Sequence, residues 1–224
     1  MNTISPKTLD FLRELKENNN KIWFEANKNR YQDAQQNLVA FIAEFLEKIQ
    51  EIEPLGLLTE AKKCVFRIYR DVRFSKNKTP YKNNLGAVVP RGENDSKTPF
   101  YLHIEPNNCF VASGLWDANA KQLKILRREI DFDVEPLKKL INKSKFKKFF
   151  GKLEGESLKK APKGFPTDHP EIELLKMKQM LIMRKFSNEA ILSENLMPDL
   201  LETYQVALEF FAFIDEIMAE ASEK

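Results

Sequence analysis

Apolar side chains near both ends of the chain recur with a helical period. Ser5-Pro6 has the form of an N-cap followed by proline at the first helical position, and it opens a predicted helix that Asn18-Asn19-Asn20 interrupts. A longer helix is expected next, ended by Pro54, with this apolar stripe: Leu38, Phe41, Ile42, Phe45, Leu46, Ile49 and Ile52. A long acidic helix is predicted to close the chain, its inner face marked by Leu196, Leu200, Tyr204, Leu208, Phe211, Ile214 and Met218.

The middle of the chain has a different pattern, in which short runs of β-branched and aromatic residues alternate with turn-forming residues. Strands are predicted at Cys64–Tyr69, Leu85–Pro90, Phe100–Glu105, Cys109–Ser113 and Gln179–Phe186. The third and fourth of these runs are separated only by Pro106-Asn107-Asn108, so they are expected to form a hairpin.

Three further stretches complete the pattern. Helices are predicted from about Ala118 to Ile130 and from near Asp133 to near Gly151, and residues 152–166 are predicted as a strand plus loop. Asp168 and Glu171 have the spacing of a capping box before a short helix. That prediction places His169 in the first helical turn, where the helix N-terminus disfavours protonation of the imidazole.

These elements predict an α+β fold with a mainly antiparallel central sheet packed with N-terminal and C-terminal helices. The 224 residues contain no low-complexity linker and no internal repeat, so a single domain over 1–224 is the simpler organisation. Within it we distinguish a helical part (1–53), a sheet-rich basic middle (61–188) and an acidic helix (193–221).

Composition favours a globular protein that stays in the cytoplasm. Apolar residues make up 42% of the chain, which is ample for a core. No stretch approaches the ~18 uncharged apolar residues that a membrane span needs, and residues 1–20 lack the apolar core of a signal peptide. Cys64 and Cys109 lie among apolar residues and are expected to be buried, reduced thiols rather than a redox pair.

Charge is distributed unevenly along the chain. Residues 1–60 hold 7 basic and 10 acidic side chains, residues 61–188 hold 28 and 14, and residues 189–224 hold 1 and 9. The densest basic stretch, Lys62–Lys82, contains eight basic side chains and one acid, Asp71, with four aromatic residues interleaved. A second stretch, Lys138–Lys163, has ten lysines and two acids, and its irregular spacing favours a solvated surface over a binding site.

The Lys62–Lys82 stretch is the strongest candidate for a functional surface, because arginine binds carboxylate or phosphate through two parallel hydrogen bonds. On a helix the three arginines would point in spread directions, and in a strand Arg67 and Arg73 would share a face with Arg70 opposite. Asp71 could pair with Arg67 across one helical turn or orient any of the three. We predict a cleft for an anionic, phosphorylated small ligand, with His103, Trp116, Arg127, Lys163 and His169 as possible rim members. Its lining would be Arg67, Arg70, Asp71, Arg73, Lys76, Lys78, Tyr81 and Lys82.

Two alternatives stay open beside the small-ligand cleft. The interleaved aromatic and basic residues also suit a single-stranded nucleic acid. Alternatively, the arginines form a self-satisfied network in a protein-interaction or structural module. No membrane partner is expected, and the sequence fixes no oligomeric state.

Other chemistry has little support in the sequence. Metal-binding spacing, a phosphate-binding glycine loop, a dinucleotide fingerprint and the Gly-x-Ser-x-Gly elbow are all missing, so no metal and no cofactor is expected. A Ser-His-Asp set assembled from Ser75 or Ser113 with the two histidines and Asp71 is weakly supported. Whether the protein is an enzyme stays open.

Several of these motifs together resemble a known family, domain of unknown function 2461, found in bacteria and fungi. The resemblance rests on the Trp23-Phe24…Arg30-Tyr31 opening, the Arg67–Lys82 block, Phe100–Ile104, Gly114-Leu115-Trp116 and Pro162–Pro170. Members often carry aspartate where Asn77 stands and an extra glycine where Ser113 stands. The resemblance implies one continuous domain and supplies no catalytic role.

Overall fold

The structure, a computed structural model, describes residues 2–53, 60–91 and 98–222. Ten helices lie within these ranges: α1 (Pro6–Glu17), α2 (Lys21–Ala26), α3 (Lys28–Ile49), α4 (Ala61–Cys64), α5 (Ala120–Phe132), α6 (Glu135–Ile141), α7 (Ser144–Phe150), α8 (Ile172–Leu175), α9 (Asn188–Leu192) and α10 (Leu196–Ser222). Four strands accompany them: β1 (Leu85–Val89), β2 (Phe100–Ile104), β3 (Cys109–Leu115) and β4 (Met180–Phe186). The α+β class is therefore confirmed.

Local sequence signals explain where the N-terminal helices begin. The Ser5 hydroxyl accepts a hydrogen bond from the Lys7 amide at 3.3 Å, with Pro6 at the first helical position. Asn18-Asn19-Asn20 separates α1 from α2, and the Asn20 side chain caps α2 by accepting from the Trp23 amide at 3.0 Å. The predicted interruption is confirmed, while Pro54, the predicted end of the next helix, lies outside the described residues.

Two predicted helical features differ from the structure. The helix expected from Asp133 to Gly151 is divided into α6 and α7, because Lys143 is extended (φ −58°, ψ 136°) after the poor helix former Asn142. The capping box at Asp168 does not form, since α8 begins after Glu171 without a side-chain cap. His169 therefore precedes the helix, and the helix N-terminus does not act on it as predicted.

The strands form a four-stranded antiparallel sheet in the order β1-β2-β3-β4. The predicted β2–β3 hairpin is confirmed, and it turns at residues 105–108, where the Asn108 amide donates to the Glu105 carbonyl at 2.9 Å. Asn107 has a φ of 65°, the third position of a turn of the type II pattern, with Pro106 before it. Asparagine tolerates this left-handed conformation better than other residues with a side chain.

Two predicted strands are shorter than expected. Residues of the Cys64–Tyr69 run form α4 and two isolated antiparallel bridges, Val65 to Ala87 and Tyr69 to Tyr81. Residues 152–166 contribute two more isolated bridges, through Glu154 and Ser157. Short, interrupted pairing of this kind leaves side chains in directions that simple alternation along a strand does not predict.

The chain divides into two compact units, and each is assembled from three separate stretches of sequence. The first unit contains the described residues within Met1–Asn94, Tyr101–Val111 and Lys185–Glu202. The second contains those within Asp95–Phe100, Ala112–Arg184 and Thr203–Lys224.

In the first unit, α1 packs on α3 and α3 packs on β1. The apolar stripes predicted from the sequence are buried in this core, with Phe11, Leu12 and Phe41 fully enclosed. Polar contacts fix the two helices: Arg30 donates to both carboxylate oxygens of Glu14 at 2.7 Å. This contact lowers the pKa of Glu14 and raises that of Arg30.

In the second unit, α10 supplies much of the core. Phe100 meets Tyr204 edge to face at 5.3 Å between ring centroids, and Phe146 lies 6.4 Å from Phe210. Gly114 has a φ of 122°, and a Cβ atom there would lie 2.2 Å from the Met180 carbonyl oxygen. Only glycine fits this close approach of two backbones.

Both cysteine thiols are free and buried, as predicted. Burial raises the pKa of each thiol. Within the described ranges, no helix is both long enough and apolar enough to cross a lipid bilayer.

Candidate anion-binding site

Residues 65–87 of the first unit form an irregular antiparallel hairpin. Bridges join Val65 to Ala87 and Tyr69 to Tyr81, so residues 66–68 face the longer arm 82–86. The extra residues interrupt the ladder as a bulge does. Of the two arrangements that the sequence left open for the arginines, the strand-like alternation is therefore interrupted in this segment.

Arg70 braces the loop of this hairpin, residues 71–79, from within. Its guanidinium donates to the Thr79 carbonyl at 3.1 Å, to the Thr79 hydroxyl, and to the Ser75 hydroxyl at 3.3 Å. The Lys78 ammonium donates to two backbone carbonyls of the same loop, the nearer at 2.9 Å. The donors of Arg70 and Lys78 thus hold the loop in one conformation.

Arg73 and Asp71 form an ion pair on the exposed side of the loop. The carboxylate accepts from Arg73 Nη2 at 2.6 Å and from Nε at 3.0 Å. This contact lowers the pKa of Asp71 and raises that of Arg73. Of the pairings that the sequence left open for Asp71, the structure contains the one with Arg73.

Arg67 and Lys82 differ from these paired cations. Within the described part of the chain, neither side chain has a hydrogen bond or a carboxylate partner. Lys82 is half-buried, and its ammonium lies over the Phe66 ring, 5.1 Å from the centroid. Burial lowers the pKa of Lys82, and the positive charge of Arg67 lowers it further. Two like charges are therefore held near each other. The charge of Arg67 also helps to lower the pKa of Asp71, but that carboxylate is bonded to Arg73.

Aromatic side chains lie beside these two cations. Phe66 is 44% exposed, and its ring centroid lies 6.2 Å from that of Tyr101 on strand β2. A Cβ atom on Gly86 would lie 2.7 Å from the Tyr101 hydroxyl, so glycine at this position of β1 leaves room for the phenol. Burial raises the pKa of Tyr101 to about 12.

Tyr101 begins a chain of polar side chains at alternate positions of strand β2 and its end. The Tyr101 hydroxyl and His103 Nδ1 are 2.8 Å apart, and His103 Nε2 lies 3.3 Å from a Glu105 oxygen. The His103 ring stacks on Phe110 at 4.5 Å between centroids. Burial lowers the pKa of His103 and outweighs the opposing effect of Glu105.

The sequence pointed to His103 but missed Tyr101 and Glu105. Period-two spacing at 101, 103 and 105 was the available signal, since alternate residues of a strand lie on the same face. Tyr81, a predicted lining residue, is instead 4% exposed and stacks on Phe24 at 3.9 Å. Asn19 fixes its backbone by donating to the Tyr81 carbonyl at 2.9 Å.

The tip of the hairpin loop is highly exposed. Phe74 is 95% exposed, and the Arg73 guanidinium lies 5.9 Å from its ring centroid. Lys76 is also exposed, and no partner for it lies among the described residues. The loop therefore presents an aromatic ring and a cation to solvent.

Four predicted rim residues belong to the second unit. Arg127 donates to the Leu175 carbonyl at 2.8 Å, at the C-terminal end of α8, and burial lowers its pKa. His169 accepts from the Glu171 amide at Nδ1, and its Nε2 lies 2.9 Å from an Asp131 oxygen. Trp116 is 66% exposed, and Lys163 is exposed.

A large groove of the first unit lies away from the basic hairpin. It has a volume of about 490 Å³ and runs between α1 and α3, with Glu14 and Arg30 paired in its wall. Because its charges neutralise one another, it offers no specific attraction for an anion. Among the described residues, no group of three or more His, Cys, Asp or Glu side chains is arranged to hold a metal ion.

Comparison with known proteins identifies the family. A family model described as conserved hypothetical protein, DUF2461, matches residues 7–213. The chain belongs to this family. Searches of curated proteins and of solved structures returned no match. The resemblance inferred from the Arg67–Lys82 block and the flanking motifs is therefore confirmed.

Proposed function

We propose that this protein binds a phosphorylated small molecule between Arg67 and Lys82, with Phe66 beside it. The observation that carries the proposal is the pair of neighbouring cations, neither of which forms an ion pair with a carboxylate of the described residues. A bound phosphate would replace the repulsion between them with two charge-assisted contacts.

The two cations would play different parts in binding. Arg67 presents a planar fork that matches two phosphate oxygens, whereas Lys82 is a point charge. Because Lys82 is half-buried, its charge is less well hydrated than that of a surface lysine, and it gains more from an anionic partner. The half-exposed Phe66 ring offers a flat apolar surface to the rest of the ligand.

The other two arginines of the segment have structural roles in this proposal. Arg70 holds the loop, and Arg73 is matched by Asp71. The predicted ligand set therefore narrows to Arg67 and Lys82, and the self-satisfied network that the sequence left open applies to Arg70 and Arg73.

The test is a calorimetric titration with inorganic pyrophosphate at low ionic strength. We expect binding by the wild type and a loss of affinity of roughly 100-fold in the double variant Arg67→Gln/Lys82→Gln, because two charge-assisted contacts are removed. The matched control is Lys139→Gln/Lys147→Gln, which removes the same charge from exposed lysines of the second unit. An equal loss in both double variants would show a nonspecific charge effect and overturn the proposal.

A second candidate, single-stranded nucleic acid, is favoured by the exposed aromatic rings on this hairpin. Phe66, Tyr69 and Phe74 are 44%, 43% and 95% exposed, and bases can stack on such rings while cations contact the backbone. Oligodeoxythymidine in the same titration separates the two functions. Nucleic-acid binding predicts strong salt dependence and weakening by Phe74→Ala, whereas pyrophosphate binding is insensitive to that substitution.

A further inference from the structure

The Tyr101–His103–Glu105 chain has a definite direction of hydrogen bonding. Glu105 accepts from Asn108 Nδ2 at 2.9 Å and has the Lys16 ammonium at 3.9 Å. A carboxylate only accepts hydrogen bonds. His103 Nε2 must therefore carry a proton and donate it to Glu105.

The other ring nitrogen of His103 follows from this assignment. Burial lowers the pKa of His103 from its ordinary value of 6.5, so the imidazole is neutral at pH 7 and carries one proton. With that proton on Nε2, Nδ1 has a free lone pair and accepts. The Tyr101 hydroxyl, 2.8 Å away, is then the donor.

With its proton donated to His103, the Tyr101 oxygen can only accept a further hydrogen bond. Its proton is directed at His103, so any further partner must donate to its lone pairs. No second partner of this hydroxyl lies among the described residues. The Tyr101 side chain is only partly buried, and its ring neighbours Phe66, whose other neighbour is the Lys82 ammonium.

We propose that Tyr101 is a hydrogen-bond acceptor of the ligand site and selects phosphate esters that carry a free hydroxyl, such as sugar phosphates. The proposal rests on the anion site formed by Arg67 and Lys82. Those cations supply affinity for the phosphate, and Tyr101 adds discrimination between esters of equal charge. A bound ligand that covers the Tyr101 oxygen without donating to it leaves this acceptor unpaired, which penalises the ligand that lacks the hydroxyl.

The test uses two esters of similar size, glycerol 3-phosphate and n-propyl phosphate. We expect the wild type to prefer glycerol 3-phosphate by about fivefold, the value of one neutral hydrogen bond. Tyr101→Phe should lose this preference while keeping its affinity for n-propyl phosphate, which also reports that the variant is folded. Tyr69→Phe, which removes an exposed hydroxyl from the same hairpin, should keep the preference.

The outcomes separate the two proposals. If n-propyl phosphate binds the wild type but no preference is seen, or the preference survives in Tyr101→Phe, the role of Tyr101 is overturned and the anion site stands. If neither ester binds, the anion site fails and the role of Tyr101 fails with it.

The proton arrangement can also be measured directly. Long-range ¹H–¹⁵N NMR spectra distinguish the two neutral tautomers of histidine, and this chain has only two histidines to assign. His169→Gln leaves the His103 signals alone in the spectrum. We expect the tautomer with Nε2 protonated, and protonation at Nδ1 would overturn the assignment of Tyr101 as acceptor.

Discussion

Two lysine- and arginine-rich stretches look alike in sequence but differ in where their unpaired cations lie. In Lys138–Lys163, two lysines are paired with carboxylates from distant parts of the second unit, Lys138 with Glu171 and Lys143 with Glu209, and unpaired lysines such as Lys139 and Lys147 are exposed. In Lys62–Lys82, Lys82 has no such partner among the described residues, is half-buried and lies near a second cation, Arg67. The number of cations therefore says less about a candidate binding site than whether an unpaired cation is held partly buried beside another.

The cations of the Lys62–Lys82 stretch also fall into two groups, those with a partner nearby in sequence and those without one. Arg70 and Arg73 find partners within nine residues along the chain, in Thr79 and Asp71. Local partners of this kind fix the shape of the loop. Arg67 and Lys82 lie at the base of that loop, beside the Tyr69–Tyr81 bridge, whereas the unpaired Lys76 lies at its exposed tip.

The largest effect on stability is expected from Arg70. Arg70→Ala removes three hydrogen bonds that hold the loop and leaves half-buried oxygens unpaired, so the free energy of unfolding should fall by about 2 kcal/mol. Urea denaturation measures the change. Arg73→Ala is the matched control, because its exposed pair with Asp71 should contribute nothing measurable. Equal losses in the two variants would contradict the division between bracing and exposed arginines.

The sequence predicted the parts of this region that depend on local chemistry. The helix cap at Ser5, the helix interruption at Asn18-Asn19-Asn20, the β2–β3 turn and the buried apolar stripes all follow from residues close in sequence. The sequence singled out the Lys62–Lys82 segment but left its side-chain directions open between a helix and a strand. The offset between residues 66–68 and 82–86 interrupts the periodicity that the strand arrangement required.

Contacts between residues far apart in sequence account for what was missed. Glu171 and Glu209 lie 33 and 66 residues from the lysines that they neutralise. Gly86 meets Tyr101 only because β1 and β2 are neighbours in the sheet. No spacing rule within a single segment encodes such pairings, so sequence patterns identified charge and aromatic content but not which charges stay uncompensated.

The pH dependence of stability tests the buried polar chain of the first region. Because the folded pKa of His103 lies below 6.5, the unfolded chain binds a proton that the folded chain does not bind. The free energy of unfolding should therefore fall as pH drops through 6.5, by at most about 1.4 kcal/mol per pH unit, and this contribution should level off below the folded pKa.

Urea denaturation of the wild type and of His103→Gln across this pH range isolates the contribution. His103→Gln should lack the part of the slope that begins near pH 6.5, while His169→Gln should retain it. If the wild type and His103→Gln have parallel profiles, His103 is not held neutral by burial, and the direction of the Tyr101 hydrogen bond loses its support.

The smallest predicted effect is the change in the free energy of unfolding when a single cation is removed from either stretch. The sign of this change should differ between the two stretches. Arg67→Gln should raise the free energy of unfolding by roughly 0.3 kcal/mol, because the relieved repulsion with half-buried Lys82 outweighs the lost attraction to exposed Asp71, which stays paired with Arg73. Lys138→Gln should lower it by about 0.5 kcal/mol, because Glu171 loses its partner.

Repeating both measurements in saturating pyrophosphate should turn Arg67→Gln into a destabilising change, since the variant loses the stabilisation that ligand binding gives the wild type. A binding-site cation is expected to lower the stability of the free protein and to raise the stability of the ligand-bound protein. A cation on a solvated surface should show no such reversal. If Arg67→Gln lowers stability in the absence of pyrophosphate, the two stretches do not differ in the way the structure indicates.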